Sequence, residues 1–65
     1  MHWRVLVARK QRDWSQTELG EKVGLPRAEI GRIEQGWTPP LDVQTKLAEV
    51  LDAPIDYLFD ATATP

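Results

Sequence analysis

Few side chains in this sequence have the types and spacings that catalysis or metal binding requires. There is no cysteine, and the one histidine, His2, falls at an end of the chain that we expect to be mobile. Disulfides, thiolate metal sites, multi-histidine metal sites and histidine dyads are therefore excluded. The carboxylates are spread along the chain, without a Ser/His/Asp or Cys/His arrangement that would activate a nucleophile. We predict neither an enzyme nor a metal, cofactor or small-molecule substrate.

Arginine side chains are better placed for binding than for catalysis. Arg27 and Arg32 share one short segment, and a guanidinium fork matches paired acceptors such as those of a phosphate or a base edge. The same segment contains Glu29 and Glu34, so the arginines equally fit ordinary ion pairs on a solvated surface. The residue types alone leave both interpretations open.

Length and composition allow one small domain. The chain has 65 residues, of which 42% are hydrophobic and 28% charged. No apolar run approaches the roughly 20 residues of a membrane span, and the beginning of the chain lacks the pattern of a signal peptide. We therefore expect an intracellular, cytoplasmic protein.

The net charge of −2 is unevenly distributed along the chain. Residues 1–37 hold seven Lys/Arg and five Asp/Glu, whereas residues 38–65 hold one Lys and five Asp/Glu. This polarity could turn a basic side toward phosphate and an acidic side away from it. It equally fits charges scattered over any solvated surface.

Turn signals divide the sequence into five segments, and none of them shows the alternation of a strand. We predict an all-α bundle of five helices over residues 2–12, 16–23, about 26–35, 41–51 and 54–59, followed by a disordered tail at 60–65. The residues expected to face the core are Val5, Ala8, Leu19, Val23, Ile30, Ile33, Val43, Leu47, Val50, Leu51, Ile55, Leu58 and Phe59.

The second and third predicted helices have the clearest boundaries. Ser15 and Glu18 form a capping-box pattern, in which each side chain accepts a hydrogen bond from the other residue's backbone N–H. Gly24 ends the second helix as a left-handed cap, and Gly36 ends the third. Only Gly24 and Leu25 separate the two helices, which favours a helix-turn-helix, with its two short helices crossing at a steep angle.

The sequence resembles the lambda-repressor-like, Cro-type (XRE) helix-turn-helix family over roughly residues 4–59. The resemblance is carried by Ser-Gln-x-Glu-Leu at 15–19 and Ile-x-x-Ile-Glu-x-Gly at 30–36. It implies a Cro-type domain over residues 2–59 with its helix-turn-helix at 16–35. It also implies a five-helix fold whose third helix enters the major groove of double-stranded DNA.

The same resemblance implies roles for single residues. Ser15 and Gln16 match positions beside a DNA phosphate, and Gln16 also braces the recognition helix. Arg27 and Ala28 match its first exposed turn, where bases are read, and Arg32 matches a groove-facing position one turn further. Glu29 has three alternative roles: to orient Arg32, to accept a hydrogen bond from cytosine, or to face away from the groove.

Arg9 and Glu34 match a family pair of structural importance. The resemblance implies a largely buried ion pair that ties the first helix to the recognition helix. Removing one partner from such a pair leaves an uncompensated charge and typically costs about 3–5 kcal/mol.

The sequence departs from the family pattern around the recognition helix. Pro26 replaces the usual Ser or Thr cap, so the cap hydroxyl is absent, and Gly31 interrupts the helix. The loop after the helix, with Trp37 and Thr38, carries no Lys or Arg, which predicts fewer phosphate contacts and a shallower salt dependence. Trp37 either contacts the sugar-phosphate backbone or covers the underside of its own loop.

The first predicted helix carries a second apolar face. Trp3, Val7 and Trp14 fall near i, i+4 and i+11, which indicates either a contact surface or a face covered by the segment with Tyr57 and Phe59.

The combined prediction is a repressor-like transcriptional regulator that binds double-stranded DNA. The resemblance implies a homodimer on an inverted-repeat operator and a prokaryotic or phage origin. The alternative is a protein-interaction module or an antitoxin-type partner protein that retains the fold. The net negative charge and the uncharged loop favour this alternative.

Overall fold

The computed structural model describes residues 2–59, and within them the fold is entirely helical. Five helices follow one another in the chain: α1 (Trp3–Gln11), α2 (Gln16–Val23), α3 (Arg27–Gln35), α4 (Leu41–Leu51) and α5 (Ile55–Leu58). The predicted all-α, five-helix fold is confirmed. The tail predicted at residues 60–65 lies outside the described residues.

One small core holds the five helices together. The buried apolar side chains come from every helix and are Val5, Ala8, Leu19, Val23, Ile30, Ile33, Leu47, Leu51 and Leu58. All of them were expected in the core from the helical spacing. The remaining expected positions, Val43, Val50, Ile55 and Phe59, are partly buried.

Local signals set the bounds of α2. The Ser15 hydroxyl accepts from the Glu18 N–H at 3.0 Å, and the Glu18 carboxylate accepts from the Ser15 N–H at 3.0 Å, which confirms the capping box. Gly24 ends the helix with φ +77°, a left-handed conformation that glycine adopts without steric penalty.

Three of the helices begin immediately after a proline. Pro26, Pro40 and Pro54 are extended, with ψ near 150–160°, and each carbonyl accepts a hydrogen bond from a helical N–H. The sequence prediction placed Pro26 and Pro54 inside the helix as its first residue, which is wrong by one position. The fixed φ of proline suits both the N-cap and the first helical residue, so the residue type alone does not distinguish these two positions.

The first helix ends earlier than its apolar pattern suggests. Because α1 stops at Gln11, Trp14 does not continue the face of Trp3 and Val7; it turns inward and packs against the core. Arg12 and Lys22 place their cationic groups 5.7 and 4.6 Å from the centre of the Trp14 ring. The expectation of one apolar face through residues 3, 7 and 14 is therefore wrong for Trp14.

Packing contacts place α3 at one side of the bundle. It packs against α2 and α1, whereas α4 packs against α1, α2 and α5. The side of α3 that faces away from α1 and α2 therefore remains open.

Candidate nucleic-acid interface

A buried ion pair fixes α3 against the rest of the fold. Arg9 Nε donates to Glu34 Oε2 at 2.6 Å, and Arg9 Nη2 donates to Glu34 Oε1 at 3.2 Å. The two side chains are only 9% and 6% exposed. A bidentate pair of this kind sets the direction of both planar groups, so α1 and α3 are held in one relative orientation.

Two further contacts complete this network. Gln16 Nε2 donates to Glu34 Oε1 at 3.0 Å, and Arg9 Nη1 donates to the carbonyl of Trp14 at 2.8 Å. The first residue of α2 is thereby joined to the same carboxylate as α1. Since the Gln16 amide has a second N–H and a carbonyl oxygen, it retains capacity for a partner outside the protein.

Part of the surface of α3 is open to solvent. Ile30, Ile33 and Glu34 are buried, whereas Arg27, Ala28 and Arg32 are exposed. The side chain of Arg27 forms no ion pair with residues 2–59. The helix therefore exposes two guanidinium groups and a methyl group to solvent.

Arg32 is held by two neighbours. Its Nη1 donates to Glu29 Oε1 at 3.1 Å, and its Cζ lies 4.6 Å from the centre of the Trp37 ring. Trp37 itself keeps 38% of its surface exposed. Neither interpretation of Trp37 from the sequence included this contact with Arg32.

Gly31 lies beside Gln16 at the edge of this surface. A Cβ atom at this position would lie 3.6 Å from Gln16 Nε2, an ordinary van der Waals distance. The neighbouring protein atoms therefore do not require glycine here.

The start of α2 contributes Ser15 and Gln16, and Gln16 joins the network around Glu34. Ser15 is exposed, and its hydroxyl accepts from the Glu18 N–H within the capping box. The N-terminus of a helix carries partial positive charge and favours an anion, so the place suits a phosphate.

The loop after α3 contacts the beginning of the chain. Thr38 Oγ1 lies 2.9 Å from His2 Nε2, and the His2 ring meets Phe59 edge-on, with ring centres 4.9 Å apart. Burial lowers the pKa of His2 below its usual value of 6.5, which favours the neutral ring. These contacts place the His2 ring against Thr38 and Phe59, at an end of the chain where the sequence offered no such partner.

Sequence reasoning missed two positioning residues. His2 contacts Thr38, 36 positions away, and no local sequence pattern predicts such a contact. Gly20 is buried, and a Cβ atom there would lie 2.3 Å from the carbonyl oxygen of Leu25. A glycine in a helix interior just before a tight turn is a signal that could have found Gly20.

A second surface lies between α1 and α5. The Arg4 guanidinium lies 5.2 Å from the centre of the Trp3 ring and 4.5 Å from that of Tyr57, and its Nη1 donates to the Tyr57 carbonyl at 2.9 Å. Trp3 and Val7 are each 38% exposed. The α5 segment therefore packs beside the apolar face of α1 without covering it.

Two other kinds of site find no support in residues 2–59. Their acidic and histidine side chains form no group of three that could hold a metal ion. None of their helices has the length and apolar character needed to cross a membrane.

Comparison with known proteins agrees with this geometry. A family model described as helix-turn-helix, HTH_3, matches residues 7–58, and the chain belongs to this family of XRE-type, lambda repressor/Cro-like proteins. Members of the family are DNA-binding helix-turn-helix regulators and are generally not enzymes. No curated protein and no solved structure gave a match to the chain.

Proposed function

We propose that this protein is a sequence-specific transcriptional regulator, repressor-like in action, whose α3 enters the major groove of double-stranded DNA. One observation carries the proposal: α3 is held in place by the buried Arg9–Glu34 pair and exposes Arg27, Ala28 and Arg32 to solvent. The major groove is about 12 Å wide and admits an α-helix.

Base reading falls to the exposed residues of α3. The Arg27 and Arg32 guanidinium groups pair with O6 and N7 of guanine, and the Ala28 methyl group contacts a thymine methyl group. Arg27 is free of ion pairs within residues 2–59, so it reaches the DNA without breaking one.

Phosphate contacts fall to residues at the two ends of the motif. Ser15 and Gln16 lie at the N-terminus of α2, where the helix dipole favours an anion. Trp37 and Thr38 follow α3, and the exposed indole N–H and hydroxyl supply neutral donors to the backbone. Such contacts position the protein on the duplex and leave sequence discrimination to α3.

The protein acts as a homodimer on an inverted repeat. Trp3, Val7, Leu41 and Tyr57 are exposed large hydrophobic side chains away from the core, and apolar surface of this kind supports a contact between copies. Two copies related by a twofold axis would place their α3 helices in half-sites about 34 Å apart.

A second candidate is a protein-interaction module or antitoxin-type partner that retains the fold. The uncharged loop at 37–40 and the exposed aromatic residues Trp3 and Tyr57 favour it. In this case Arg27 and Arg32 are ordinary surface residues, and replacing them changes no sequence preference.

Selection from a random duplex library distinguishes the candidates. We would incubate the protein with the library at about 100 mM salt, because binding to phosphates depends strongly on salt, and sequence the bound fraction. An enriched inverted repeat is the expected result, with discrimination reduced in Arg27→Ala. A folded protein that enriches no sequence would favour the interaction module.

A further inference from the structure

We infer that Glu29 and Trp37 are positioning residues that hold Arg32 ready to read one guanine, so that the discriminating group is a three-residue unit. This inference rests on the proposed function and specifies how the same site distinguishes bases. It is carried by two contacts: Arg32 Nη1 donates to Glu29 Oε1 at 3.1 Å, and Arg32 Cζ lies 4.6 Å from the Trp37 ring centre.

The ion pair between Glu29 and Arg32 is poorly suited to stabilising the fold. The Arg32 side chain is 57% exposed and the Glu29 side chain 27%, and exposed pairs at this spacing contribute little in water. A carboxylate on a DNA-facing surface also repels phosphate. The main effect of this ion pair is therefore to orient the Arg32 guanidinium, and it adds little to the stability of the fold.

The number of N–H donors on the Arg32 guanidinium supports this assignment. Arginine has five N–H donors in a planar fork, and Glu29 accepts from one of those on Nη1. The donors on Nε and Nη2 remain available, and the two together match O6 and N7 of guanine. A side chain already held in this arrangement loses less conformational freedom when it binds.

Trp37 supplies the second restraint. Its ring lies beside the guanidinium at a distance typical of cation–π contacts, and its backbone N–H donates to the carbonyl of Arg32 at 3.0 Å. Glu29 therefore restrains the Arg32 guanidinium through its Nη1 group, and the indole restrains it through contact with the ring. By contrast, Arg27 forms no such ion pair within residues 2–59.

The test compares base preference with general affinity. We would measure binding of the wild-type protein and of Glu29→Gln, Trp37→Phe, Trp37→Ala and Arg32→Ala to every single-base variant of the selected duplex. The same proteins would be measured on an unrelated duplex. Glu21→Gln is the matched control, because Glu21 is exposed in α2 and loses the same charge.

The expected result is a split between the two readouts. Glu29→Gln lowers the preference for one guanine about tenfold, the same position that Arg32→Ala affects, while affinity for the unrelated duplex rises because a negative charge is removed. Trp37→Ala lowers the preference at that position, and Trp37→Phe retains part of it. Replacing this guanine by 7-deazaguanine, which lacks the N7 acceptor, weakens the wild-type protein and has little effect on Arg32→Ala.

Each other outcome has a defined meaning. If Glu29→Gln behaves like Glu21→Gln, with affinity raised and all base preferences intact, Glu29 does not position Arg32 and the inference fails while the proposed function survives. If Arg32→Ala changes no base preference, the inference fails in the same way. If the wild-type protein selects no sequence at all, both the inference and the proposed function fail.

Discussion

At Gly20, the absence of a side chain allows the turn between α2 and α3 to close against α2. The Leu25 N–H donates to the Gly20 carbonyl at 2.8 Å, and the Leu25 carbonyl oxygen occupies the space that a Cβ atom would need. A side chain at residue 20 would therefore force the turn away from α2.

We predict that Gly20→Ala lowers the free energy of unfolding by about 1–3 kcal/mol, since backbone atoms must move to accept the methyl group. Gly31→Ala is the matched control: its Cβ meets Gln16 at an ordinary distance, and alanine favours the helix by up to about 1 kcal/mol. Urea denaturation followed by circular dichroism measures both. Equal stability of the two variants would contradict this account of Gly20.

The Arg9–Glu34 pair makes a further prediction at the residue scale. Arg9→Ala or Glu34→Ala leaves a buried charge without its partner, which lowers the free energy of unfolding by about 3–5 kcal/mol. For a domain this small, that approaches its whole stability, so DNA binding is lost through loss of the fold. A thermal melt of either variant that coincides with the wild-type melt would refute this.

A double variant distinguishes the effect of charge from the effect of packing at the Arg9–Glu34 pair. Arg9→Met combined with Glu34→Leu removes both charges and keeps the volume, and buried pairs replaced in this way often retain stability. We expect its melting temperature to lie well above that of either single variant. A double variant as unstable as the singles would show that the hydrogen bonds from Gln16 and to Trp14 matter more than the charge balance.

Among the elements, α2 combines a structural cap with a proposed phosphate contact at Ser15. Ser15→Asp keeps a side-chain oxygen for the Glu18 N–H and places a negative charge where the phosphate would lie. We predict a change of less than about 1 kcal/mol in stability together with a marked loss of DNA affinity. Ser15→Asn, a neutral cap, should retain both properties; equal DNA affinity of the two variants would remove Ser15 from the interface.

The helices were largely predictable because their signals are local. The capping box at Ser15, the left-handed Gly24 and the apolar spacing of α4 each involve residues within a few positions of one another. The end of α1 was less clear, because Trp14 continues the apolar spacing after the backbone has left the helix. Only packing against the core decides where that side chain lies.

Contacts between distant residues account for what the sequence could not predict in the site. The residue types on α3 follow from the motif, yet the Trp37 ring beside Arg32 depends on the path of the loop. The contact between His2 and Thr38 brings together residues that are 36 positions apart in the chain. Side-chain directions in such places depend on tertiary structure, for which sequence spacing gives no rule.

For the whole molecule, the distribution of charge governs DNA affinity. Residues 38–65 contain one lysine and five acidic residues, and the loop at 37–40 adds no positive charge next to α3. We therefore expect a shallow dependence of affinity on salt, since each neutralised phosphate contributes a slope of about 0.9 on logarithmic axes.

Adding a charge to that loop tests this view. Thr38→Lys should raise affinity and steepen the salt dependence by about one phosphate contact. Thr45→Lys makes the same change of charge at an exposed position of α4, outside the proposed interface, and should leave the slope nearly unchanged. Equal slopes for both variants would mean that the loop after α3 does not lie near the DNA backbone.

A titration of isotope-labelled protein with DNA, followed by NMR, shows whether the exposed side of α3 contacts the duplex. The probe is a duplex of about 20 base pairs, roughly two helical turns, carrying the selected sequence. We predict that backbone signals of residues 27–32 and of the start of α2 shift most, while those of α4 shift least. Shifts confined to α4 and α5, or no shifts with a folded protein, would contradict it.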